Sequence, residues 1–278
     1  MSRTVFRAMT GALALAAAAA AIPLGSSAPA VADSIVIGGQ PAHVKDSPWV
    51  VALSSRDRFG ETRAGQFCGG VVIAPKKVLT AAHCLSREAL GGDVGKVRDL
   101  RIISGRDALR GTGGKEVPVQ ATWSNPGFDP LTNAGDVAVL TLAAALPAKS
   151  VIPMAESGDA AYEPGTGAVV YGWGDTTGDS DYASSLRSAQ VSVLPDSLCE
   201  QAYPGGKDGT YDASAMLCAG KLQGGYDACQ GDSGGPLVAR GRLIGLVSWG
   251  NGCGRAGSPG VYTRVSAAMG WMPGGGTA

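Results

Sequence analysis

Three short segments of this chain hold side chains that together could carry out acyl transfer. Gly231-Asp232-Ser233-Gly234-Gly235-Pro236 sets a serine among glycines and behind a carboxylate. A serine hydroxyl attacks a carbonyl only when a base removes its proton, and the oxyanion that forms needs donors already aimed at it. Gly231 has no side chain to block a substrate carbonyl, so its N–H and that of Ser233 form a candidate donor pair. The base must come from two histidines. His83 ends the run Leu79-Thr80-Ala81-Ala82 and precedes Cys84, which can tether its loop, whereas His43 lies among Ala, Val and Lys without a motif and reads as a surface residue. An imidazole base needs a carboxylate that holds its tautomer and stabilises the imidazolium. Asp136 leads the apolar run Val137-Ala138-Val139-Leu140, which draws it inward, where an unpaired carboxylate is costly. Taken singly, the segments admit plainer roles: a glycine-rich turn before Leu237-Val238, a hydrogen-bonded core histidine, and a turn aspartate at a strand start.

The elements that must position these side chains read as short strands. Apolar or β-branched runs ended by Gly, Pro, Asn or Asp recur at Trp49–Leu53, Gly70–Ile73, Val78–Thr80, Asp136–Leu142, Ala168–Tyr171, Ala189–Leu194, Leu237–Val238, Leu243–Trp249 and Gly260–Val265. A short helix is expected near Val265–Met272, ended by Pro273 and glycines. Only 17% of the 278 residues are charged and 43 are glycine, which favours short elements joined by turns. Many short strands with frequent turns imply an all-β sandwich or barrel. The connector Leu146-Pro147-Ala148-Lys149 marks a seam between two halves of similar size.

Lys plus Arg and Asp plus Glu balance at 23 each, so the chain carries no electrostatic footprint for nucleic acid or an anionic membrane. Its start differs from the rest. Arg3 and Arg7 precede an apolar, alanine-rich run from Gly11 to Leu24, followed by Ala30-Val31-Ala32, the pattern of a signal peptide cleaved after Ala32. The run is shorter than the roughly 20 residues of a spanning helix. Six cysteines, an even count with no CxxC pair, fit an exported protein with three disulfides better than a metal cluster, and spacing alone leaves about 15 connectivities open.

His83, Asp136 and Ser233 occur in that order, and their segments resemble the histidine box, aspartate segment and serine box of the trypsin/chymotrypsin family over about Val36–Trp271. The resemblance implies two packed antiparallel six-stranded Greek-key β-barrels with a short C-terminal helix and the active site in the cleft between them. It divides the chain into a signal peptide 1–32, a pro-segment 33–35, an N-terminal barrel 36–147 and a C-terminal barrel 148–278. It makes Ser233 the nucleophile, His83 the base, Asp136 its orienting group, and the amides of Gly231 and Ser233 the oxyanion hole. Ser248 would support Asp136 with its hydroxyl and pair with substrate through its backbone. Asp227, six residues before the nucleophile, would floor the primary pocket, with Gly250 and Gly260 as its walls, and so select Lys or Arg. Ala228 stands where many trypsins have serine; a guanidinium fork needs that hydroxyl less than an ammonium does, so Arg should be preferred. The implied disulfides are Cys68–Cys84, Cys199–Cys218 and Cys229–Cys253.

Family members are activated when a new N-terminal ammonium pairs with the aspartate before the nucleophile, here Asp232. Aligning Gly38-Gly39 and Pro48 with the family makes Val36 that terminus. Asp33-Ser34-Ile35 contains no Lys or Arg, which argues against self-activation. The loop that binds calcium in many trypsins reads Arg106-Asp107-Ala108-Leu109-Arg110 here, with a cation where a carboxylate ligand is needed. Pro259 replaces the aromatic residue of sodium-regulated relatives. No metal or cofactor is therefore expected. The expected protein is an extracellular monomer acting on protein or peptide substrates with Arg or Lys, open to proteinaceous inhibitors, with no nucleic-acid partner and no membrane partner after export. Two rival readings are a catalytically inactive, protease-like binding module and an esterase, although no triad member is missing and Asp227 favours peptides.

Overall fold

Thirteen strands are found in a computed structural model that describes Met1 and residues 37–206 and 209–273. The rest of the expected signal peptide, the pro-segment and Val36 lie outside the described residues. The first strands are β1 (Gln40–Pro41), β2 (Val50–Ser54), β3 (Gln66–Ala74), β4 (Lys77–Thr80), β5 (Arg101–Ser104), β6 (Lys115–Ser124) and β7 (Ala138–Leu142). They are followed by β8 (Gly167–Gly172), β9 (Arg187–Val193), β10 (Met216–Gly220), β11 (Pro236–Ala239), β12 (Arg242–Trp249) and β13 (Gly260–Arg264).

Strands β2-β3-β4-β7-β6-β5 close into one antiparallel barrel. A second ring runs β8-β9-β10-β13-β12-β11 and returns to β8, with β1 added along β9. The fold is thus two six-stranded β-barrels with few helices. The longest helices among the described residues are Asp196–Ala202 and the C-terminal Val265–Trp271.

Each barrel fills itself with small and branched side chains. Val51, Leu53, Val72, Val78, Leu140 and Leu142 pack inside the first, and Val170, Val191, Leu217, Leu237, Ile244 and Tyr262 inside the second. The opposite faces of β3, β4 and β7 carry Val71, Leu79 and Val139. These meet Val238, Leu243 and Leu246 of the second barrel, together with Val265 and Ala268 of the C-terminal helix. This alternation follows from the two-residue period of a strand. The apolar seam between the barrels holds the loops at its rim in a constant relation.

Several elements differ from the sequence reading. Strands β1, β5, β6 and β10 are not marked by the sequence reading. β6 mixes Lys115, Glu116 and Gln120 with Pro118 and is mostly exposed, and only Ile102 and Ile103 in β5 are apolar. β7 begins at Ala138, so Asp136 precedes the strand instead of opening it.

Candidate functional site

His83 and Asp136 meet because of strand register. In the β4–β7 pair Thr80 faces Ala138. His83 lies three residues past Thr80 on a 3-10 turn, and Asp136 two residues before Ala138. The His83 Nδ1 to Asp136 Oδ2 distance is 2.7 Å, and the His83 backbone N–H donates to Oδ1 at 2.9 Å. The Ser248 hydroxyl donates to Oδ2 at 2.6 Å, and the Thr263 hydroxyl donates to the Asp136 carbonyl at 2.7 Å. The fully buried Asp136 carboxylate is thereby satisfied by three donors, two from the first barrel and one from the second. Burial pushes the His83 imidazole towards a lower pKa, but the charge of Asp136 and its hydrogen bond outweigh this, and the net shift is upward.

Ser233 sits on the turn that leads into β11, docked against the first barrel. Its carbonyl accepts from Gly69 N–H at 2.8 Å. The next residue, Gly234, has φ +77°. A Cβ there would stand 2.2 Å from Thr80 Oγ1, so only glycine lets the turn settle against β4. Gly231 has φ +94°, again a glycine conformation. Among the described residues, the amides of Gly231 and Ser233 donate to no protein acceptor. The Cys68–Cys84 disulfide ties β3 to the His83 turn.

Beside Ser233 opens a cavity of about 180 Å³, lined by Asp227, Ala228, Ser248, Gly250, Gly260 and Tyr262 among others. Asp227 is among its lining residues and is only 3% exposed. Its Oδ1 accepts from the Ala228 amide at 2.8 Å and its Oδ2 from the Gly254 amide at 3.0 Å. Burial pushes this carboxyl up to about 7 against those two bonds, and the charge of Asp232 adds to the rise. The Cys229–Cys253 disulfide spans two of the lining segments, and Cys199–Cys218 joins the helix Asp196–Ala202 to β10.

The family profile described as Trypsin matches residues 36–272. This chain belongs to the trypsin family. It is 43% identical to a trypsin of Saccharopolyspora erythraea over 84% of this chain and 94% of that protein. It is also 36% identical to Trypsin 5G1 of Aedes aegypti (85% and 83% covered) and 32% identical to a trypsin of Sus scrofa (86% and 95% covered). The protein is therefore a trypsin-family serine protease, a hydrolase of peptide bonds with three disulfides.

The other residues singled out from the sequence fall in two places. Asp232 is fully buried between Gly172 and Gly174, with its oxygens accepting from Gly174 N–H at 2.7 Å and Cys229 N–H at 3.0 Å. Burial pushes it up to about 6 against these bonds and the nearby charge of Arg63. Ile37, which follows Val36, is docked on the trypsin-fold pocket loop, its carbonyl accepting from Asp227 N–H at 3.2 Å. His43 is at the surface, with its Nδ1 2.8 Å from Asp107 Oδ2.

In the loop after Gly105 the residues do not fit calcium. The Arg106 guanidinium fills it, donating to the Gly113 carbonyl at 2.6 Å, the Leu109 carbonyl at 3.3 Å and Glu116 at 3.0 Å. The oxygens that would face a metal already face a cation. Cys68, His83 and Cys84 are a grouping close enough to suggest a metal, but both sulfurs are in a disulfide and offer no thiolate. Sequence reasoning gave no role of their own to Thr80, Thr263, Gln66 and Arg63, whose types are ordinary; Thr263, Gln66 and Arg63 each have a partner at least 110 residues away along the chain.

Proposed function

We propose that this trypsin-family protein is a secreted endopeptidase that cleaves after Arg and Lys through a Ser233–His83–Asp136 triad. The observation that carries the specificity is the buried carboxylate of Asp227 at the base of a narrow cavity beside Ser233, with Gly250 and Gly260 in its lining. A long cationic side chain can reach that floor and exchange water for a charge-assisted pair. Ser233 Oγ then attacks the peptide carbonyl as His83 takes its proton. The tetrahedral oxyanion is held by the amides of Gly231 and Ser233, and collapse expels the amine, which takes the proton back from His83. Water repeats the sequence on the acyl-enzyme to release the acid. Asp136 keeps the His83 tautomer correct and stabilises the imidazolium. The first half, 36–147, supplies the base and its carboxylate, and the second, 148–278, supplies nucleophile and pocket.

Residues 1–32 act as a signal peptide, and three disulfides suit an oxidising destination. Among the described residues no helix is long and apolar enough to cross a membrane. Removal of 33–35 frees the Val36 ammonium for Asp232. The docking of Ile37 beside Asp227, and the full burial of Asp232, which pushes its carboxyl up and makes a cationic partner favourable, support that reading. The protein works as a monomer and is a target for proteinaceous inhibitors that present Arg or Lys.

Labelling the secreted protein with a serine-directed phosphonate, followed by kcat/KM on peptides that differ only in Arg, Lys or Phe before the scissile bond, tests this. Labelling at Ser233, a mature terminus at Val36 and the order Arg above Lys far above Phe are expected. A Phe preference, or full activity with an upstream terminus, would overturn the specificity or the activation scheme respectively.

A further inference from the structure

A polar chain outside the triad reaches the oxyanion loop from the opposite barrel. Gln66, at the start of β3, is 4% exposed, and its Nε2 donates to the Gly231 carbonyl at 2.8 Å and to the Cys68 carbonyl at 3.2 Å. Its Oε1 accepts from Arg63 Nη2, which also donates to the Trp173 carbonyl at 2.6 Å. Because a guanidinium only donates, Oε1 must face Arg63, and the amide nitrogen is left facing Gly231. Arg63 is itself held, with its guanidinium 4.0 Å from the centre of the Tyr182 ring.

The backbone that presents this pair is strained. Arg63 and Ala64 have φ of +58° and +53°, conformations that favour glycine. Such residues persist only where the surroundings hold them, and they cluster at functional sites. Here the Ser54 hydroxyl donates to the Ala64 carbonyl at 2.6 Å, and Ser55 N–H donates to the Gly65 carbonyl at 3.0 Å.

The consequence falls on one amide. A peptide plane is rigid, so the direction of the Gly231 N–H is opposite to that of the Gln230 carbonyl. The Gln230 carbonyl is held by Asp175 N–H at 2.8 Å, and the Gly231 carbonyl by Gln66. The first bond holds the plane that carries the Gly231 N–H and the second holds the next plane, which Gly231 shares with Asp232; glycine at φ +94° has no side chain to resist rotation, so the two bonds together fix the torsions between the planes. We propose that Gln66, itself oriented by Arg63, is a positioning residue of the oxyanion hole: its side-chain N–H pins the Gly231 carbonyl, fixes the peptide plane that follows Gly231, and so gives the plane before it, which aims the Gly231 N–H at the developing oxyanion, a fixed support. The inference rests on the assignment of Ser233 and Gly231 made above.

Gln66→Glu keeps shape and burial but replaces the donor with an acceptor, and Arg63→Met removes the group that orients the amide, while Arg63→Lys restores a cation. Each is compared with wild type for kcat and KM on an Arg peptide amide, for inhibition by a peptide boronate that forms a tetrahedral adduct, and for inhibition by benzamidine, which uses only the cation pocket. Losing a whole oxyanion donor costs about 10²- to 10³-fold in kcat, so a misaimed donor should cost about tenfold or more. The expected result is that kcat falls in Gln66→Glu and Arg63→Met with KM within about twofold, and boronate affinity falls in parallel. Benzamidine affinity should stay constant and Arg63→Lys should recover most of the loss. Unchanged kcat in both variants, or equal losses for boronate and benzamidine, would overturn the positioning role. Failure of the underlying assignment shows separately, as wild type that neither hydrolyses the peptide nor binds the boronate, or as Ser233→Ala that retains activity.

Discussion

Gly260→Ala tests the pocket floor through a single methyl group. Gly260 opens β13, outside the left-handed region, so its backbone accepts alanine. The added carbon would stand 2.4 Å from Asp227 Oδ1 and 3.3 Å from the Tyr262 ring and hydroxyl. A relaxed contact needs about 3.5 Å, so the carboxylate must retreat by about 1 Å. It is pinned by the Ala228 and Gly254 amides at 2.8 and 3.0 Å, and retreat weakens one of those bonds or the pairing with an incoming guanidinium. A hydrogen bond to a charged group contributes about 1.5–3 kcal/mol, which corresponds to roughly a ten- to hundredfold loss in kcat/KM for an Arg peptide. The assay is steady-state hydrolysis of matched Arg peptides, with the rate of phosphonylation of Ser233 by a small uncharged reagent as control. That rate should hold, because the reagent ignores Asp227. Arg hydrolysis within twofold of wild type, or an equal fall in phosphonylation, would refute the reasoning. Gly250→Ala makes a useful contrast, since its methyl would meet nothing closer than 3.5 Å and leaves Asp227 in place.

Three further expectations follow from the charges. On the proposed mechanism, hydrolysis of an Arg peptide needs neutral His83 and ionised Asp227; the first is shifted up from its ordinary value and the second up to about 7, so both take protons as the pH falls through neutrality. The acid limb of log kcat/KM should therefore steepen to a slope of about two, and Asp227→Asn should return it to about one; a slope of one in wild type would count against the shared window. Arg106→Met strips the Leu109 and Gly113 carbonyls of their guanidinium donors and Glu116 of one cation, an expected loss of about 2–4 kcal/mol in denaturant unfolding that added calcium does not restore. Glu116 is held at about 2, first by its hydrogen bonds from Arg56, so its contribution is present above its unfolded value and is lost as the pH falls from about 4.5 to 2; Glu116→Gln should abolish that part of the acid sensitivity.

Strand runs were legible where β-branched residues alternate or cluster, as in Val50-Val51 and Leu243–Trp249. They were obscure where packing replaces pattern. β6 is held by pairing with β5 and β7 although most of its side chains meet water, and β10, Met216-Leu217-Cys218-Ala219-Gly220, lacks the β-branched residues that separate a buried strand from a buried helix. The helix Asp196–Ala202 is too short for a periodic signal and is anchored by the Cys199–Cys218 disulfide.

By itself the sequence determined which chemistry was on offer: a serine among glycines, a histidine beside a cysteine, a carboxylate leading an apolar run, and a second carboxylate upstream of the serine. These are local properties, written in neighbouring residue types. Tertiary structure alone decided which ordinary side chains serve them. Thr263 reaches Asp136 across 127 residues of chain and Gln66 reaches Gly231 across 165. Contacts of that span depend on two closed barrels docking through the Val71–Leu79–Leu246 seam, and nothing in the residues around Gln66 or Thr263 encodes them. The same docking brings the turn with Ser233 against β4, so the surroundings of that serine are a product of packing even though the serine itself is a product of sequence.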